Sequence, residues 1–265
     1  MKRIAISYVG LFLLLTFCSK HTIEPPTDPL ANESGNTNDG SNNNADDSNN
    51  NDNNNDNNTD ALTDFDGNIY TTVTIGNQVW MAENLKTTHY QNGDAITSSD
   101  QSTWPNLTTG AYRTDSSNNT DIYGYLYNWH AINDSRSIAP DGWHVPTDAD
   151  WKELEMYLGL SQSSADMANC RGSSIGGSLK ETGTTLWSSP NTDATNATDF
   201  SARPAGRCNF STGAIQDQGE FAYFWTATQD NSTSAWSRSL SSTTSYICRY
   251  SSNKKQGYSV RLVKD

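Results

Sequence analysis

His144 and the two carboxylates behind it are the side chains best placed by type to do chemistry. In Gly142-Trp143-His144-Val145-Pro146-Thr147-Asp148-Ala149-Asp150-Trp151, one imidazole precedes two aspartates within two helical turns. A histidine oriented by a carboxylate can serve as a general base. His130 supplies a second imidazole. Neither is accompanied by a nucleophile signature such as G-x-S-x-G. The same ten residues also read as architecture. Trp143 and Val145 alternate with His144 and Pro146, as in a short extended segment with one buried face. Pro146 ends any ladder there. Thr147 can then cap a helix, with Asp150 closing an acidic capping box. Asp148 and Asp150 fall in the first turn, where the helix dipole favours negative charge. Architecture is the preferred reading. His144 is expected to hydrogen-bond a neighbouring group at an aromatic core, and no catalytic residue is assigned.

Cysteine and carboxylate spacings bear on metal and redox chemistry. The cysteines are Cys18, Cys170, Cys208 and Cys248, at separations far from those of a zinc site. If Cys18 is set aside, an odd number remains. One pair could be oxidised, but the sequence does not choose it, and three independent structural cysteines are expected. Asp64-Phe65-Asp66-Gly67-Asn68 is a miniature calcium loop without the distal bidentate glutamate. A turn before a strand is the favoured reading. The aspartates between Asn36 and Asp60 lack regular spacing, so no metal and no cofactor is assigned.

The elements that must position these residues are short. Ile69 to Ile75 and Val79 to Met81, around Gly76-Asn77, read as a β-hairpin. Tyr123 to Ile132 reads as a short buried helix. Thr147 to Leu158 is the clearest helix, with Trp151, Leu154 and Leu158 as its apolar stripe and Gly159 as its stop. Residues 161–198 read as loop. Strands are expected over Phe221 to Ala227, Ala235 to Leu240 and Tyr258 to Val263, with a weaker one over Tyr246 to Tyr250. The fold class is α+β, loop-rich, with short antiparallel strands and two main helices. Eight tryptophans supply bulky core material.

The N-terminal part is organised differently. Lys2 and Arg3 precede an apolar run, Ile4 to Phe17, too short to span a bilayer stably. It reads as a secretory signal. The run ends in Leu15-Thr16-Phe17-Cys18, which resembles a bacterial lipobox with Cys18 as the lipidated residue. Phe17 departs from the small residue usual at that position. Residues 1–18 are thus a signal peptide with a lipobox-like end, and residues 19–62 an Asn/Asp-rich tether. The tether offers no apolar surface to offset the entropy of ordering it, so disorder is expected. The domain follows over 63–265. Net charge is −13, with much of the acidic excess upstream of the domain. No basic patch is present, which argues against a nucleic-acid partner.

Several motifs resemble one family. They are Asp66-Gly67-Asn68-Ile69-Tyr70; Thr74-Ile75-Gly76-Asn77-Gln78-Val79-Trp80-Met81-Ala82-Glu83-Asn84-Leu85; Tyr123-Gly124-Tyr125-Leu126-Tyr127-Asn128-Trp129; Gly142 to Thr147; Leu179-Lys180-Glu181-Thr182-Gly183; and Gly257-Tyr258-Ser259-Val260-Arg261. Together they resemble the Fibrobacter succinogenes major paralogous domain, over roughly Thr63 to Asp265. Departures lie near Arg203 to Gly206 and Phe224 to Ala227. The resemblance implies an exported lipoprotein. It also implies a C-type-lectin-like fold, shared with formylglycine-generating enzymes, and carries no established activity.

Function is therefore weighed by class. A formylglycine-generating chemistry would need paired reactive cysteines, and Cys208 and Cys248 lie outside the matching motifs. Long loops on a rigid scaffold suit a displayed recognition surface, and exposed tryptophans and tyrosines would suit sugar rings. The calcium-lectin triplets Glu-Pro-Asn and Gln-Pro-Asp are missing. The expectation is a non-catalytic binding or adhesion domain in the cell envelope, at the outer membrane or cell surface. Its partners would be the membrane, through the lipid, and a glycan or surface protein. The alternatives are a passive structural envelope component and an enzyme of the formylglycine-generating fold.

Overall fold

The computed structural model describes residues 61–114 and 119–265. Cys18, the expected signal segment and nearly all of the expected tether lie outside the described residues. Leu62, where the tether was expected to end, is buried in the strand Leu62–Thr63 and pairs with Tyr70.

The described residues form several small, mostly antiparallel sheets with a few short helices and long loops. None of these sheets closes into a barrel. The expected hairpin is present. Thr72–Ile75 pairs with Gln78–Met81, and Gly76 turns the chain at φ 64°. Val263–Lys264 joins the far side of this hairpin and pairs in turn with Trp143–His144, which completes a four-stranded antiparallel sheet.

The second four-stranded sheet runs in the order Phe221–Gln229, Ser234–Ser241, Ile247–Asn253, Asn169–Arg171, antiparallel throughout. Its first two strands lie where their composition put them. The weak signal at Tyr246 to Tyr250 is a full strand, Ile247–Asn253, because it has neighbours on both sides. Tyr258 to Val263 was expected as one strand. Only Val263 lies in a strand, while Tyr258 and Ser259 make isolated bridges to Tyr127 and Phe224.

The helix Asp148–Tyr157 starts as its sequence indicates. Thr147 Oγ1 accepts from Asp150 N at 3.2 Å, and the Asp150 carboxylate accepts from Thr147 N at 2.7 Å. Thr147→Ala should cost about 1 kcal/mol, read as a lowered denaturation midpoint at unchanged slope. No change in midpoint would mean that the cap contributes nothing.

The expectation of two main helices is corrected. This is one helix of ten residues, and the other α-helices among the described residues have four or five. The helix read over Tyr123 to Ile132 is instead Thr120–Tyr123, a strand Leu126–Tyr127, and Trp129–Ile132. Gly124 breaks it at φ 67°, where a Cβ would stand 2.7 Å from Leu85 O and Asn84 Cβ. Asn128 then caps a new turn by accepting from Ala131 N. The stretch read as loop contains Gln162–Asp166, Asn169–Arg171 and Ile175–Leu179. These elements carry too few residues to show periodicity.

Six of the eight tryptophans are buried, and Trp143 and Trp236 are partly so. One apolar cluster gathers Trp129, Trp225, Tyr127 and Tyr258; another gathers Trp80, Trp151, Trp187, Phe200 and Phe224.

The independent-cysteine expectation is overturned. Cys170 and Cys248 sit directly opposite each other on neighbouring strands and form a disulfide, and Cys208 is a buried free thiol. Burial pushes the Cys208 thiol up to about 12, so it stays protonated and inert.

Candidate functional site

His144 does not lie in the aromatic core. It is partly exposed, with Nδ1 2.5 Å from Asp265 Oδ1 and Nε2 3.2 Å from Asp150 Oδ2. Asp150 Oδ2 is also bonded to Thr147 N and Thr147 Oγ1. The imidazole thus ties the helix start to Asp265, and no serine or cysteine stands within hydrogen-bond reach of it among the described residues. Asp148, the other candidate carboxylate, shares that first turn but turns its side chain to different partners. It is buried against the second sheet, where it accepts from Arg238 Nη1 at 2.9 Å and from Arg249 Nε and Nη2 at 2.8 Å. Burial alone would raise its pKa, but Arg249, Arg238 and Lys152 outweigh burial and hold the carboxyl below the usual carboxylate range.

The Asp64 to Asn68 stretch is a turn between Leu62–Thr63 and Ile69–Tyr70. Asp64 Oδ1 accepts from Asp66 N and Asn68 N, both at 3.0 Å, and Oδ2 accepts from Tyr70 Oη at 2.5 Å. Donor hydrogens therefore surround the carboxylate that would have to face a cation. Among the described residues, no group of three or more His, Cys, Asp or Glu side chains could hold a metal ion.

His130, the second imidazole of the sequence, occupies a different setting. Asn128 anchors its helix from both sides: its Oδ1 accepts from Ala111 N and Ala131 N, and its Nδ2 donates to Thr109 O. This leaves His130 partly exposed at the edge of a hollow of about 610 Å³. Its other walls come from remote segments. Trp104, in the short helix Trp104–Asn106, donates its indole N–H to Lys255 O at 2.8 Å, and Lys255 Nζ returns a bond to Pro105 O at 3.1 Å. Phe210 sits on a turn held by Asn209, with its N–H bonded to Gln256 Oε1. Gly257 allows these segments to meet, since a Cβ there would fall 2.7 Å from Cys208 Cβ and 2.9 Å from the Trp104 ring.

The hollow is lined by the aromatic Phe210, by His130, by Lys254 and Lys255, and by several hydroxyl-bearing residues. Burial, and then the charges of Lys254 and Lys255, hold the His130 imidazole below its ordinary value. It is therefore mostly neutral at pH 7 and able both to donate and to accept. No hydrogen bond joins it to a hydroxyl of the hollow among the described residues. Such a surface can hold a polar ligand with an apolar face.

Residues 73–264 match the Fibrobacter succinogenes major domain. The chain belongs to that family. No curated protein and no solved structure matches it. Within this Fibrobacter succinogenes major domain, several motif residues serve the scaffold. Arg261 is fully buried and donates to Asn84 Oδ1, Met81 O, Phe200 O and Ser201 O at 2.7–3.0 Å. Lys180, also fully buried, donates to Thr192 O, Ser241 O and Thr244 O at 2.8–3.0 Å. Burial brings its pKa down to about 8. Phe210, Lys254 and Lys255 lie outside the motifs. Sequence reading missed them because nothing local marks residues on separate loops as neighbours. The one available signal was the Lys254-Lys255 pair in an acidic chain.

Proposed function

We propose that this chain is an exported, lipid-anchored cell-envelope protein whose Fibrobacter succinogenes major domain is a non-catalytic binding module. The observation that carries the binding role is the hollow between His130, Phe210, Lys254 and Lys255. It has the size of a ligand site, presents mixed polar and apolar walls, and contains no carboxylate or cysteine among its lining residues. A disulfide supports export, since such bonds persist mainly in oxidising compartments. The charged start and apolar run ending at Cys18 support the anchor. The proposed fold is C-type-lectin-like. The Trp225 strand and the segment before Arg261, on which that likeness rests, lie side by side, with Trp225 N bonded to Ser259 O at 3.1 Å.

Two measurements test this. Cys18→Ser should move the protein from the membrane to the soluble fraction and abolish fatty-acid labelling; unchanged labelling would refute the anchor. On an array of glycans and envelope proteins, the full chain should retain specific ligands that Phe210→Ala loses. An array with no ligand would refute the binding role.

A further inference from the structure

We infer that the hollow binds a saccharide unit bearing a carboxylate, with Lys254 and Lys255 facing the carboxylate and Phe210 the ring. The inference rests on the binding role proposed above and names its ligand class. The decisive feature is Lys254. It is 7% exposed, lies 4.4 Å from the Trp129 ring centroid, and donates to Gln229 Oε1 at 2.6 Å and Ser232 O at 3.2 Å. Both acceptors are neutral, and one N–H remains. No carboxylate stands within 4.0 Å of Lys254 Nζ or Lys255 Nζ among the described residues.

A buried charge is costly unless paired, and the other buried cations among the described residues are provided for. Arg171, Arg238 and Arg249 meet carboxylates. Lys180 and Arg261 are surrounded by oxygen acceptors. Among the described residues, Lys254 alone combines burial, no counter-charge and a place in the wall of this hollow. Lys255 adds a second ammonium whose one bond is to Pro105 O. The positive wall stands out in a chain of net charge −13.

The rest of the lining selects a sugar over a bare anion. Phe210 is 38% exposed, a ring available to the apolar face of a pyranose. Ser211, Ser232, Thr233 and Asn253 offer donors and acceptors for hydroxyls. A second depression of about 330 Å³ shares Thr108 and His130 with the first, so a ligand can continue past one residue. There Arg136 is already neutralised by Asp134 and Asp94, which leaves the acid group to the first hollow.

The test uses the full chain in detergent, titrated with oligosaccharides carrying galacturonate, glucuronate or sialic acid, with their methyl esters, and with inorganic phosphate. At least one acid form should bind about tenfold more tightly than its ester and weaken with added salt. Lys255→Gln should remove that preference and leave ester binding unchanged, whereas Phe210→Ala should weaken both forms. Lys255 makes one side-chain bond, so its replacement keeps the fold, which a melting curve checks; Lys254→Met, which loses more contacts, is the supporting variant. Equal binding of acid and ester, full competition by phosphate at the ligand's own concentration, or an unaltered preference in Lys255→Gln would overturn the inference. Neutral glycan or protein ligands lost in Phe210→Ala but kept in Lys255→Gln would overturn it while leaving the binding role intact. Failure of every array member and every oligosaccharide would overturn both.

Discussion

Glu155→Gln should destabilise the domain by about 3–5 kcal/mol, the cost of breaking a buried ion pair from one side. The reason lies in the register of the second sheet. Arg238 and Arg249 are directly opposite each other on adjacent strands, an arrangement that repels on its own. The helix Asp148–Tyr157 resolves it by turning two carboxylates onto the sheet, seven positions apart and so on one face with Trp151 and Leu154. Asp148 bridges Arg238 and Arg249. Glu155, fully buried, accepts from Arg238 Nε and Arg171 Nη2, each at 2.5 Å. An amide at 155 keeps the shape and removes the charge, so two buried guanidiniums lose a counter-ion. Denaturant titration at pH 7 would read the loss as a lowered midpoint, and a change below about 1 kcal/mol would show that the arginines find other partners.

The same cluster makes stability fall in acid. Asp148 has a lowered pKa in the fold, against an ordinary value of 3.8, so the folded state binds fewer protons than the unfolded one around that pH. Its contribution is complete above 3.8 and is lost as pH falls below it towards the folded value. Asp148→Asn should flatten that part of the stability profile.

Reduction of the Cys170–Cys248 disulfide should be the second large effect. The bond closes a loop with a sequence separation of 78. Chain entropy then assigns it about 4.5 kcal/mol, within the usual 2–5 kcal/mol lost when a native bridge is removed. The bond also fixes Asn169–Arg171, a three-residue edge strand, and with it Arg171 beside Glu155. Cys170→Ser with Cys248→Ser should therefore melt well below the native protein, whereas Cys208→Ser should shift the melt far less. Equal melting of the double variant and the native chain would show that the strand is held without the bridge.

Elements whose signals are local were legible in the chain itself. Gly76-Asn77 between β-branched runs specified a hairpin, and Thr147 with Asp150 specified a capped helix start, because each depends on residues within a few positions. The family resemblance spanned motifs in order and proved sound over residues 73–264. Where distant segments meet was not legible. Asp148 read as a dipole-favoured first-turn residue and is in fact the counter-ion of two arginines on another sheet. The odd set of cysteines gave no pairing until Ile247–Asn253 was placed beside Asn169–Arg171. His130 and Lys254 are 124 positions apart, and only the tertiary fold makes them walls of one hollow. Local pattern records what a residue does for its own turn or strand. Charge pairing and cavities depend on which elements pack together, and in a fold of short strands and long loops that choice belongs to the whole chain.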